Sequence, residues 1–386
     1  MTNKCFSRDY RTGEVVRVDF GLAIESVDEL APAPVGIDTW IAPAFIDLQV
    51  NGFSGVDYCS PHSSLEDIAR SIDDQFATGV ARIYPTVITG SAENMQGALR
   101  NLARAKRELP NGNAFEAIHA EGPFISAEDG PRGAHPAHHS RPPNLEEWRR
   151  MQDAAEGHIR LLTLSPEYEG TSAFIEEVVS EGVVVSIGHT KATSAQIRDA
   201  VSAGATMSTH LGNGAHAVLP RHPNYIWDQM AEDRLTASFI VDGIHLSDSF
   251  LKVALRAKGI ERSVLITDAV MPAGCLPGPY KLGEVEVTLH PGNRVTLRDG
   301  TRLAGSALMM HVGVSNLMRS AGLSLCDAVT MATTNAARAG RVGGRIRGLN
   351  PGERGDIVEF KLDPATKAIE IQRTWVSGKL VYDRAV

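Results

Sequence analysis

Five short stretches of the chain each end an apolar run in a side chain able to bind a metal or move a proton. "AIHAEGPF" (117–124) carries His119 and Glu121, "VSIGHT" (185–190) His189, "MSTHLGNG" (207–214) His210, "IVDGIHL" (240–246) Asp242 and His245, and "LITDAV" (265–270) Asp268. Singly these are weak signals. A lone histidine after a strand is most often a structural hydrogen bonder, and an Asp there is equally a helix cap. Repetition at the same end of successive apolar runs points instead to one shared mouth. Glu121, His189 and His210 supply one oxygen and two nitrogens, a donor set of catalytic zinc sites that keep an open position. Such an ion lowers the pKa of bound water and polarises a carbonyl. Asp268 on the opposite wall could take a proton from that water and pass it to a leaving amine.

Convergence requires the runs to be parallel strands of one closed sheet. Strand patterns fall at 42–50, 81–88, 114–120, 159–165, 183–189, 205–210, 236–242 and 263–268. Helical spacing lies between them: Leu65, Ile68, Ile72 and Phe76 in 64–79, and Met95, Leu99 and Leu102 in 92–110. Eight such units over roughly 250 residues suit an α/β fold, a (β/α)8 TIM barrel, whose chemistry sits at the C-terminal ends of the strands. The segments 14–26 and 356–384 read as antiparallel strands and are expected to form a small β-sandwich from both chain ends. That divides the chain into 1–41 plus 349–386 (sandwich) and 42–348 (barrel). A further strand pair is expected in 280–303, with helices at 306–321 and 324–339. Residues 129–144 are the most loop-like, and His138 and His139 there read as solvated.

The 386 residues are 43% hydrophobic and 22% charged, with a net charge of -8. That composition is ordinary for a globular protein and argues against a broad nucleic-acid surface. No apolar run approaches the ~20 residues of a membrane span. No secretory signal is visible, and the four scattered cysteines form no CxxC pair, so a cytoplasmic location is expected.

Together, "PAFIDLQVNG" (43–52), "HAEGPFI" (119–125), "GAHP" (133–136), "GHT" (188–190), "THLGNG" (209–214), "DGIHL" (242–246), "TDA" (267–269), "LAGSAL" (303–308) and "GLNPGERGDIVEF" (348–360) resemble the amidohydrolase superfamily. Within it, the sequence is similar to the N-acetylglucosamine-6-phosphate deacetylase family along nearly the whole chain. The resemblance implies a metal on Glu121, His189 and His210, with Zn2+ first and Fe2+, Co2+ or Mn2+ as alternatives. It implies Asp268 as base and acid, and a phosphorylated amino sugar as substrate. His135 and His245 would meet the sugar, and Asn213 and Gly214 the phosphate side. Arg221, eleven residues after His210, would reach the phosphate of a neighbouring subunit, which implies a homodimer or higher homo-oligomer. Where many amidohydrolases carry His-x-His on the first strand, this chain has Gln49 and Asn51. Neutral amides are poor ligands beside imidazole, so one ion per chain is expected.

The sequence departs from the family after His210. Gly212 stands in place of an aromatic residue, Gly214-Ala215 in place of Ala-Met, His222 in place of an acid, and His216 is an extra histidine. A roomier, less acidic end of the pocket is expected, which leaves the acyl group and sugar epimer open. Cyclic-amide hydrolysis or deamination, a metal-dependent isomerase and a non-catalytic sugar-phosphate sensor are the alternative readings.

Overall fold

Eight parallel strands follow one another in sequence order: Phe45–Val50, Val80–Ile88, Ile118–Glu121, Ile159–Leu164, Val184–Ile187, Met207–Ser208, Thr236–Ile240 and Ser263–Ile266. The row closes where Val50 bridges Ala269 in parallel and Asn51 N donates to the Ala269 carbonyl over 2.7 Å. The structure is a computed structural model and describes residues 2–282, 285–300 and 302–386. Among them no helix is long and apolar enough to cross a membrane, and all four cysteines are free.

The first two helices show why the strands stay in order. Leu65–Phe76 starts at Ser64, whose side chain accepts from Asp67 N, and buries Ile68, Ile72 and Phe76 at helical spacing. Ala92–Glu108 starts at Ser91 in the same way and buries Met95, Leu99 and Leu102. It stops short of Pro110 because Leu109, the residue before the proline, turns to extended backbone. Each helix lays its apolar stripe on the sheet, and this right-handed crossover is what makes parallel neighbours.

Both chain ends form one seven-stranded sheet, in the order Lys379–Asp383, Ile369–Val376, Ile357–Leu362, Thr39–Pro43, Asn3–Asp9, Val15–Phe20, Ile24–Glu29. Phe20 and Trp375 stand four strand positions apart, about 19 Å in a flat sheet. Their rings nevertheless meet edge to face at 5.4 Å. The sheet therefore curls until its two halves face each other, which is the sandwich. Asp356 ties it to the barrel floor. It accepts from Arg82 at 2.8 and 2.9 Å and from Arg345 at 2.7 Å, all buried.

Several expected bounds shift. The sixth strand is only Met207–Ser208, so His210 stands beyond it. The 280–303 pair is a three-stranded sheet of Gly278–Leu282, Val285–Leu289 and Val295–Leu297; Gly283, Glu284 and Thr301 lie outside the described residues. The helix expected at 306–321 begins at Met310. The one at 324–339 breaks at Thr333, whose hydroxyl bonds back to the Val329 carbonyl.

Candidate active site

Three site residues are turned by the backbone at strand ends. His189, His210 and Asp268 have φ of 49°, 31° and 49°, a left-handed conformation uncommon for residues other than glycine. Each such residue costs on the order of 1–3 kcal/mol and persists where its surroundings hold it. The turns aim the side chains into the barrel mouth beside Glu121.

There, Glu121 Oε1 lies 3.0 Å from His189 Nε2 and 3.1 Å from His210 Nε2, and the two nitrogens are 3.0 Å apart. His189 Nδ1 is 2.9 Å from the Pro131 carbonyl, which only accepts, so Nδ1 carries the proton and neutral Nε2 presents a bare lone pair. Three potential ligand atoms thus meet at one buried point, and a cation between them would engage all three. Zinc bonds of ~2.0–2.1 Å place tetrahedral neighbours about 3.3 Å apart, close to this triangle. The cluster fits a divalent metal.

Two glycines make room for the ligand ring. A Cβ on Gly214 (φ 56°) would stand 2.8 Å from His189 Nδ1, and one on Gly133 would stand 3.4 Å from Cε1. Opposite the triangle, Gln49 Nε2 donates to Glu121 Oε1 (2.9 Å) and to Asp268 Oδ1 (3.0 Å), and Asn51 Nδ2 donates to Asp268 Oδ1 (2.7 Å). Burial, then the Glu121 charge, pushes Asp268 up to about 7. That value suits a group that takes and returns a proton near neutrality. His135 is buried 4.3 Å, ring to ring, from His189. Burial above all lowers it to about 3, so it is neutral. His245 Nδ1 donates to Asp242 Oδ2 at 2.6 Å, which leaves Nε2 for a ligand.

Asn51, Glu121, His135, His189, His210, His245 and Asp268 line one cavity of ≈ 610 Å³, together with Asn213 and Gly214. Asn213 Nδ2 is buried without a hydrogen-bond partner among the described residues. His119 is not part of this cluster. It points to Thr163 (2.8 Å) in a buried chain that continues through Thr209 and Ser186, which is the structural role of an ordinary strand histidine. Arg221 is exposed and stands outside this cavity.

Residues 40–381 match the amidohydrolase family model. The chain belongs to the amidohydrolase family. This amidohydrolase is 33% identical to the N-acetylglucosamine-6-phosphate deacetylase of Bacillus subtilis (strain 168), over 84% of this chain and 82% of the relative. It is 30% identical to the N-acetylgalactosamine-6-phosphate deacetylase of Escherichia coli O157:H7, over 91% of each. Among solved structures, it is similar to a variant N-acetyl-D-glucosamine-6-phosphate deacetylase of Mycobacterium smegmatis in complex with N-acetyl-D-glucosamine-6-phosphate. The TM-score there is 0.85 at 29% identity, covering 95% of this chain and 94% of that one.

Two readings of the amidohydrolase's loops need correction. Gly212 does not open the pocket: a Cβ there would stand 2.7 Å from the Phe250 ring and 2.9 Å from Leu246, so neighbours already fill the space. His139 is not simply solvated, because it is half-buried and lines the cavity. Sequence reasoning also missed the far wall. Asp57, Ser60 and His62 come from the segment between the first barrel strand and the first helix, Asn94 from the first turn of the helix Ala92–Glu108, and Lys281 from the three-stranded sheet. No motif marks them; their position just past barrel strands was the available signal.

Proposed function

We propose that this amidohydrolase is a metal-dependent deacetylase that hydrolyses N-acetylglucosamine-6-phosphate to acetate and glucosamine-6-phosphate. The observation that carries the reading is the Glu121–His189–His210 donor triangle sharing one buried mouth with Asp268. The similarity to amino-sugar-phosphate deacetylases over more than four-fifths of the chain supports it.

Glu121, His189 and His210 would hold one divalent ion, Zn2+ before Fe2+, Co2+ or Mn2+. When bound, such an ion lowers the pKa of water and polarises an amide carbonyl. Gln49 and Asn51 turn their NH2 groups to Asp268 and Glu121, and their neutral amide oxygens are weak ligands beside imidazole, so one ion per chain is expected. Asp268 takes a proton from the attacking water and returns it to the nitrogen as the C–N bond breaks. Neutral His135 donates toward the carbonyl oxygen as charge develops there. His245 Nε2, Asn213 and the Gly214 backbone orient the sugar phosphate. Arg221, whose planar fork suits phosphate, serves the site of a second copy, so the working form is a homodimer or higher oligomer. The domain division is 1–41 with 349–386 and 42–348, and the free cysteines suit a reducing cytoplasm.

A galacto epimer is the second reading, supported by the divergent 211–222 loop and the similarity to a galactosamine-type deacetylase. The test is acetate release from N-acetylglucosamine-6-phosphate, its galacto epimer and the unphosphorylated sugar, with metal content measured on the same sample. Preference for the gluco phosphate with one ion per chain is expected. No acetate release, or two tightly bound ions, would overturn the proposal.

A further inference from the structure

His216, which the proposed mechanism does not use, has both ring nitrogens engaged. Its Nε2 lies 2.8 Å from Glu128 Oε1 and its Nδ1 2.9 Å from the Tyr225 hydroxyl. The Glu128 carboxylate only accepts, so Nε2–H donates to it and Nδ1 is left to accept from the Tyr225 hydroxyl, whose oxygen also accepts from His216 N at 2.8 Å. Glu128 is a hub. Its other oxygen takes Lys191 Nζ at 2.5 Å, two residues after His189. One carboxylate therefore joins three loops: its own after the third strand, the one after His189, and the one after His210.

The joint lies a short step from a metal ligand. From Glu128 the chain makes two successive turns, Arg132 N to Glu128 O (3.0 Å) and Gly133 N to Gly130 O (3.0 Å). Pro131 sits inside them and presents the carbonyl that fixes the His189 tautomer. His135 follows, with its N donating to Arg132 O (3.3 Å). The fit is close, since a Cβ on Gly130 would stand 3.0 Å from His216 Cα. On the other loop, Gly214, two residues before His216, packs directly on the His189 ring.

We infer that His216 is a positioning residue for metal binding: by tying the 128–135 loop to the 210–225 loop, it sets the Pro131 carbonyl against His189 and so fixes that ligand's tautomer and direction. The inference rests on the reading of Glu121, His189 and His210 as metal ligands. Groups bonded directly to a ligand, as the Pro131 carbonyl is to His189, typically alter metal affinity about 10–100-fold when removed, and His216 acts one joint further out.

The test is the Zn2+ dissociation constant of full-length protein, measured by chelator competition, with circular dichroism of the metal-free form as a check on folding. His216→Phe keeps the ring volume and loses both bonds; metal affinity should weaken about tenfold, the lower end of what loss of a directly bonded group costs. His216→Gln, which can donate to Glu128 and accept from Tyr225, should recover part of that loss. In a double-mutant cycle, His216→Phe and Glu128→Leu should be non-additive, as expected of groups in one network. If His216→Phe does not fold, Tyr225→Phe decides: loss of one hydroxyl should weaken Zn2+ about three- to tenfold. A dissociation constant within twofold of wild type, in whichever of these two variants folds, would overturn the inference. Wild-type protein that binds no Zn2+, Fe2+, Co2+ or Mn2+ would instead overturn the metal reading beneath it.

Discussion

Asn51 Nδ2 lies 2.7 Å from Asp268 Oδ1, across the seam where the first barrel strand meets the last. A hydrogen bond to a carboxylate favours its charged form, so Asn51 works against the burial and the Glu121 charge that push Asp268 up to about 7. A base must be deprotonated to act, so kcat/KM should rise with pH through the Asp268 pKa. A bound cation beside Glu121 offsets that residue's charge, which sets the limb of the loaded enzyme at or below about 7. Asn51→Leu removes one donor and should move the limb upward by about one pH unit. Activity then falls further at pH 6 than at pH 8.5. A limb that stays in place would separate Asn51 from the base.

Asp268→Asn keeps the shape of the group and its contact with the amides but cannot take a proton. Turnover should fall about 10²–10⁴-fold, while metal content stays at the wild-type value. Metal analysis beside a steady-state assay reads both. Near-normal turnover would assign the proton transfer elsewhere.

Gly214→Ala addresses the ligand ring from the other side. The new methyl would stand 2.8 Å from His189 Nδ1, at φ 56°. The left-handed backbone alone costs about 1–2 kcal/mol for a residue with a Cβ. His189 must turn away from Pro131, so Zn2+ affinity should drop at least about tenfold. Circular dichroism should be unchanged, because the barrel strands are not touched. Unaltered affinity would show that the ring has slack.

The convergence of Glu121, His189, His210 and Asp268 was legible because each follows a buried apolar run, and parallel strands in sequence order bring their ends to one mouth. The helices were legible where apolar spacing and a serine cap agreed, as at Ser64 and Ser91. What escaped depends on partners far along the chain. Glu128 and His216 are 88 residues apart, and nothing local to Gly212 says that Phe250 fills its space. The strand Asn3–Asp9 also gave little signal, since "NKCFSRD" buries Cys5, Ser7 and Asp9 and leaves its one large apolar side chain, Phe6, exposed. Its place comes from pairing with Val15–Phe20.

The joint between sheet and barrel gives a stability prediction independent of the site. Burial would raise the Asp356 pKa, but the charges of Arg345 and then Arg82 outweigh it and hold the carboxyl down, at about 2. A depressed carboxyl stabilises the fold above its unfolded pKa of about 4 and loses that contribution as pH falls toward 2. Asp356→Asn leaves two buried guanidinium groups facing a neutral amide. Breaking a buried pair in this way costs about 3–5 kcal/mol. Denaturant unfolding at pH 7 should show that loss, and the gap between variant and wild type should narrow as pH is lowered from 4 toward 2. A gap independent of pH would mean that Asp356 acts through its shape, through the bond from Ser377 N, rather than through its charge.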